Sequence, residues 1–236
     1  MLSFTWSRWK PEILTMGGSV VEMTLEELEL LKVLAHIIDL EENQKLYHSL
    51  RVAMLSQRLS EILSAADSGG ANSTVLFTAG LLHDIGTFDL SNRLIHLKDH
   101  MENIAVAGIR VHPQKGAGIV AALPGFIPQA EMILDHHEWI NGAGYPRKRR
   151  EDQLSPGSRI LRISDKFAFM ADTDPGIQPS TLHSSLKSRI NREFTAEMYD
   201  CLMDEITATD IWDIVCDERR MDDEIDRIMA EIPIRE

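Results

Sequence analysis

The sequence predicts an all-α protein. Apolar residues recur every three to four positions in segment after segment, and no stretch sustains the alternation of a half-buried strand. Aromatics make up only 6% while Met occurs 11 times, so the core is built from Leu, Ile, Ala and Met, which suits helix packed on helix. With 236 residues, 44% of them hydrophobic and 26% charged, the chain can form one large domain, or a domain with a small appendage, and is not a disordered polymer.

Residues 1–22 hold Pro11, Gly17 and Gly18 and read as an irregular arm, whose Trp6 and Trp9 are expected to pack on the domain rather than recognise a partner. Thr24 and Glu27 form a capping box for a first helix, with Leu25, Leu28, Leu31, Leu34 and Ile38 on one apolar face. A second helix is expected over 42–65, turning Leu46, Leu50, Ala53, Leu59, Ile62 and Leu63 inward and ending at Asp67-Ser68-Gly69-Gly70. A third covers 72–84 and is broken by Gly86, after which 87–100 is irregular or short-helical. Residues 101–122 are expected to be helical except at His112-Pro113, because proline disfavours α conformation in the residue before it. A helix over 128–139 leads to the loop NGAGYPRKRREDQLSPG, and SRILRISDKFAFMAD forms a further amphipathic helix. After the loop DTDPGIQPS, residues 181–235 read as three or four helices, with Thr195 and Thr209 as N-caps. The apolar faces over 186–215 need a partner, so 181–236 is expected to pack on the same core as 23–180.

The formal net charge of −13 repels nucleic acid and anionic membrane, and excludes a general duplex-binding role. Cys201 and Cys216 lie in apolar, helix-like segments and are expected to be buried free thiols. No run of about 18 apolar residues marks a membrane span, and the N-terminus lacks the apolar stretch of a signal peptide, so a cytoplasmic location is expected.

The histidines carry the chemistry. His83 and Asp84 follow an apolar run and precede Gly86, and a helix end relaxed by glycine lets two adjacent side chains converge. His48, His112, the pair His136-His137 and Asp165 lie in other helices or at their ends. Each has an ordinary explanation alone: His48 as an exposed helix residue, Asp165 as a surface carboxylate or a partner of Arg162. Yet a carboxylate on a helix as apolar as Ile160–Phe169 is costly to bury unless paired or metal-bound. Five histidines and two aspartates spread over five helices suit a binuclear centre inside a bundle. Imidazole and carboxylate donors suit Fe or Mn first, and also Ni, Co or Zn.

The ordered set His48, His83-Asp84 and Asp165 resembles the HD superfamily of metal-dependent phosphohydrolases. The strings H-D-I-G (83–86), H-P-Q-K-G (112–116) and H-H-E-W-I-N-G-A-G-Y-P (136–146) resemble its HD-GYP subgroup, which hydrolyses the bacterial messenger cyclic di-GMP. The resemblance covers roughly residues 45–172 and implies an HD-type helical bundle with extra C-terminal helices, acting in the bacterial cytoplasm. It implies a phosphodiester hydrolase that gives pGpG or GMP, using two divalent cations about 3.5–4 Å apart to acidify water and stabilise the leaving oxygen. Asp84 would be the bridging ligand, with His48, His83 and Asp165 on one metal and His112, His136 and His137 on the other. Asp84 and His83 are thus the expected catalytic pair, and Glu138 would orient a histidine or the loop, or simply cap a helix. Gly142, Gly144 and Tyr145, with Pro146, would form the loop bordering the substrate, a loop the family also uses to contact diguanylate cyclase domains.

The chain departs from the family where substrate cations are expected. Thr87 replaces the motif lysine, leaving Lys98 as a loose match to a second lysine and Lys115 as a substitute charge. Asn141 stands where the loop usually has Asp, and Gln44 replaces a glutamate that serves a third metal in some members, so two metals are expected. Arg147-Lys148-Arg149-Arg150, the only dense basic run, is either a capture site for a cyclic dinucleotide or acidic partner, or a solvated loop. The departures keep two alternatives open: a weakened signalling or binding module, and another HD-type nucleotide phosphohydrolase. Only about 40 residues precede the resemblance, so regulation is expected from terminal helices, homodimer formation or a separate protein.

Overall fold

The computed structural model describes residues 23–41, 47–65, 71–88, 109–174 and 177–235. Among the described residues there are ten α-helices and no strand, only isolated bridges such as Asn141 with Arg150. They are α1 (Leu25–Glu41), α2 (His48–Ala65), α3 (Ser73–Leu82), α4 (His112–Val120), α5 (Ile127–Asp135), α6 (Pro156–Thr173), α7 (Pro179–Lys187), α8 (Ala196–Ala208), α9 (Ile211–Cys216) and α10 (Glu218–Glu231). A 3₁₀ turn over Ile85–Thr87 follows α3, and another over Glu151–Gln153 precedes α6. No helix of the described residues is long and apolar enough to cross a membrane.

α2 is the axis of the bundle. From His48 to Ser60 every residue except Arg58 is buried, because α1, α3, α6, α8 and α10 pack around it. α3 approaches it most closely: a side chain at Gly80 would meet the Ala53 backbone at 2.5 Å, so glycine sets this helix crossing. Leu202, Ile211 and Ile225 of the C-terminal helices belong to the same buried apolar cluster as Leu50 and Leu76.

Helix ends follow local chemistry. The Thr24–Glu27 capping box forms, with Thr24 N donating to Glu27 Oε2 (2.8 Å) and Glu27 N to Thr24 Oγ1 (3.2 Å). Asn72, Ser155, Thr195 and Asp217 each cap a helix through a side-chain oxygen. Thr209 is not an N-cap: it is the last residue of the α8 turn, and Asp210 occupies the N-cap position of α9. His112-Pro113 marks a helix boundary as expected and starts α4, since proline is tolerated in a first turn whose N–H groups have no intrahelical acceptor. α5 stops at Asp135, four residues short of the expected end, with His136 still in α conformation as its C-cap and His137 beyond it. On α1, Leu28, Leu31 and Ile38 are buried but Leu25 is exposed, and on α2 Ile62 is only partly covered. The cysteines are free as expected but not buried: Cys201 is half-buried and Cys216 exposed. Trp6, Trp9, Gln44, Leu46, Lys98 and the expected helical stretch before residue 109 lie outside the described residues.

Candidate metal centre

Five helix segments deliver seven side chains to one place. α2 opens with His48, and α3 ends at Leu82 with its C-cap His83 and then Asp84 following. α4 opens with His112, α5 ends at Asp135 with its C-cap His136 and then His137 following, and the middle of α6 supplies Asp165. Donor atoms of Asp84, His112, His136 and His137 lie within 4.8 Å of one another, as do those of His48, His83 and Asp165. All but His137 are buried.

The tautomers of three imidazoles are set by backbone. Nδ1 of His83 lies 2.8 Å from Gly80 O, Nδ1 of His112 2.6 Å from Ile109 O, and Nδ1 of His136 2.6 Å from Ile133 O. A carbonyl only accepts, so each Nδ1 carries the proton, and in the neutral ring each Nε2 presents its lone pair inward. Asp84 lies between the resulting groups. Its Oδ1 faces Nε2 of His112 (3.3 Å) and His136 (3.7 Å), and its Oδ2 faces Nε2 of His83 (3.1 Å) and His48 (3.9 Å). Nε2 of His48 also lies 3.7 Å from Asp165 Oδ1.

This donor set fits divalent cations. Nε2 of His112 and Nε2 of His136 lie 3.1 Å apart, and with both rings protonated at Nδ1 the two lone pairs face each other, an arrangement that a shared cation relieves. Nε2 of His83 is buried without a hydrogen bond, lying near Asp84 Oδ2 but off the bonding direction. Burial alone would lower the His83 pKa, yet Asp84 and Asp165 raise it to about 10, and the same pull favours any cation at Nε2. Burial would raise Asp84, but the surrounding imidazoles of His83, His136 and His112 hold it well below the carboxylate range, ionised and ready to ligate. Burial, and secondarily the neighbouring His136, depress His112 to about 4, leaving it neutral.

His137 is set differently. Arg162 donates to its Nδ1 (3.0 Å) and to Asp165 Oδ2 (3.1 Å), while its other branch pairs with buried Glu193. The His137 ring stacks on Tyr145 at 4.8 Å, and the Arg110 guanidinium lies 5.4 Å above the opposite partner of that stack. The loop beneath is built by backbone. Tyr145 N donates to His137 O (3.1 Å), and the Glu138 carboxylate accepts from Arg147 N and Arg149 N, which makes Glu138 the organiser of the loop. Gly142 has φ +81°, and a side chain at Gly144 would meet Trp139 N at 2.4 Å, so both glycines are dictated by the turn. Asn141 Oδ1 accepts from Ala143 N (2.9 Å), a bond an aspartate makes equally well.

Among the described residues, the sequence-derived cations Lys115 and Arg147 are engaged outside this cluster. Lys115 is exposed and lines a separate cavity of about 560 Å³ with Gly86, Val111 and Ile119. Lys98 is outside the described residues. Arg147 is occupied internally: its Nε donates to buried Asp135 at 2.9 Å and its Nη2 pairs with the same carboxylate. Arg147→Gln is therefore expected to lower stability by about 1–2 kcal/mol, discounted for the partial exposure of the arginine. Thermal unfolding would show this shift, and a change confined to KM would assign Arg147 to the substrate instead. Thr87 turns its hydroxyl onto Asp84 O (2.7 Å) and presents no charge.

Sequence reasoning missed Arg51, Asp172, Arg110 and Glu193. Asp172 lies two helical turns beyond Asp165, and Arg51 one turn beyond His48, a same-face spacing that could have signalled both. Nothing in the sequence joins Arg110 to Tyr145.

The HD domain family matches residues 32–200. A 3'3'-cGAMP-specific phosphodiesterase from Vibrio cholerae is 30% identical over 139 residues, covering 59% of this chain and 30% of that protein. A cyclic di-GMP phosphodiesterase from Thermotoga maritima is 27% identical over 168 residues, covering 70% and 44%. The chain thus spans less than half the length of these relatives. In structure it is similar to a cyclic GMP-AMP-specific phosphodiesterase from V. cholerae, with a TM-score of 0.67 and 17% identity over 90% of this chain and 54% of the other. An HDG"Y"P protein from Bdellovibrio bacteriovorus gives a TM-score of 0.57 and 19% identity over 78% of this chain and 65% of the other. The helical architecture, the adjacent His83-Asp84 pair at the centre of the site and the match over most of its length place this chain in the HD domain family.

Proposed function

We propose that this chain is a metal-dependent phosphodiesterase of HD-GYP type that opens a cyclic dinucleotide. The observation that carries the reading is Asp84, whose two oxygens divide between His112 and His136 on one side and His83 and His48 on the other. Two divalent cations bound there supply an acidified water and positive charge against the phosphate oxygens. Asp84 would bridge them, with His48, His83 and Asp165 on one and His112 and His136 on the other, which His137 would join once its Nδ1 no longer accepts from Arg162.

The remaining residues position the substrate. Tyr145, held parallel to His137, offers an aromatic face beside the centre. Arg110, exposed and poised over that ring, is the cation best placed to meet a phosphate, since Thr87 supplies none. Arg110→Ala is expected to raise KM about tenfold with little change in kcat, as loss of one charge-assisted contact implies. Steady-state kinetics would check this, and an unchanged KM would remove Arg110 from the substrate site.

The proposed substrate is cyclic di-GMP, with pGpG or GMP as product. The test is turnover by protein loaded with Mn²⁺ or Fe²⁺, with 3'3'-cGAMP in a parallel arm. Conversion lost in Asp84→Ala supports the reading. Binding of either dinucleotide by fully loaded protein without turnover would favour a signalling module, which the uncharged Thr87 position makes the second reading.

A further inference from the structure

We propose that Asp172 is a positioning residue for His48, fixing its ring so that Nε2 faces the position between Asp84 and Asp165. The inference rests on the metal-centre reading above. Nδ1 of His48 lies 2.6 Å from Asp172 Oδ2. An ionised carboxylate only accepts, so Nδ1 carries the proton and the Nε2 lone pair is directed inward. His83, His112 and His136 obtain this orientation from backbone carbonyls, and His48 alone of these four obtains it from a side chain.

That side chain is itself held. Arg51 Nη1 donates to Asp172 Oδ1 (2.7 Å), and Arg51 Nε donates to Val215 O at the end of α9 (2.8 Å). The carboxylate thus divides its oxygens between two residues one turn apart on α2, and the side chains of Arg51 and Asp172 are both only 8% exposed. An Arg51–Asp172 pair by itself would join α2 to α6 with no need of the histidine. The third contact gives the pair an additional role: it carries the placement of His48 through Asp172 and Arg51 to the C-terminal helices. A carboxylate behind an imidazole also makes it a stronger donor than a carbonyl does, so the position served by His48, His83 and Asp165 should hold its cation more tightly.

Asp172→Asn separates these roles. The amide oxygen can still accept from Arg51, but its NH₂ then faces Nδ1, which reverses the His48 tautomer and places an N–H on Nε2. The metal-free protein is titrated with Mn²⁺ by calorimetry, and its melting temperature is recorded without metal. Wild type is expected to bind two ions per chain. In Asp172→Asn one of the two is expected to weaken 10–100-fold while the other stays within about twofold. Unchanged affinity at both positions, or equal weakening at both with a lowered metal-free melting temperature, would reduce Asp172 to a structural tie and overturn the proposal. If Asp172→Asn does not fold, Asp172→Ser, which also lacks the charge, carries the same expectation and the same counter-result. Absence of Mn²⁺ binding in wild type would instead count against the metal-centre reading itself.

Discussion

Asp84→Ala is expected to abolish measurable phosphodiesterase activity, a loss of at least about 10³-fold, equivalent to roughly 4 kcal/mol of transition-state stabilisation. The size follows from position. Asp84 is buried and, among the described residues, its carboxylate is the one within 4 Å of Nε2 of His48, His83, His112 and His136 alike. Without it, four imidazoles converge on a space with no central anion to offset two divalent charges, so metal content should fall together with turnover. Asp84→Asn preserves shape but supplies one neutral oxygen, and should lose nearly as much. Metal analysis and turnover on the same preparations provide the check. Retention of two metals with residual activity above one per cent would show that Asp84 does not bridge.

Much of this site can be read from the sequence because its residues come in local pairs with distinctive neighbours. His83-Asp84 precedes a glycine, His112 precedes a proline, and His136-His137 precedes a Gly-x-Gly-Tyr-Pro turn. The helices are legible for a similar reason, since caps such as Thr24 and Thr195 act within three residues of themselves. What local pattern misreads is any signal arising from distant partners. Trp139 and Ile140 extend the apolar period beyond α5. Yet Trp139 packs under Arg192 and Asn141 N donates to Arg192 O, so that apolarity serves a tertiary contact and not a helix face. The basic run at 147–150 reads as a free charged patch, but Arg147 and Arg149 both reach Asp135, buried at the end of the preceding helix. The role proposed for Arg110 rests on Tyr145 lying beneath it. In each case the deciding partner is brought near by the fold and leaves no periodic trace.

Gly86→Ala is expected to be the most damaging single methyl addition near the site. A side chain at Gly86 would lie 2.0 Å from His112 O and 2.5 Å from Gly116 N, so it meets the backbone of the first turn of α4 and not a side chain that can rotate away. Relief requires α4 to move, and His112 moves with it, opening the 3.3 Å approach of its Nε2 to Asp84 Oδ1. The cost should be about 3 kcal/mol, which for a chain of this size lowers the melting temperature by roughly 6–12 °C. Gly118→Ala provides the contrast on the same helix. Among the described residues nothing lies within 4 Å of a side chain there, and replacing a helical glycine should stabilise by up to about 1 kcal/mol. Melting curves of the two metal-free variants, followed by Mn²⁺ titration, separate packing from ligand placement. Gly86→Ala should lose both stability and the metal position that includes His112, while Gly118→Ala should gain the first and keep the second. If both variants melt like wild type, the close approach of the 3₁₀ turn to α4 does not hold His112 in place.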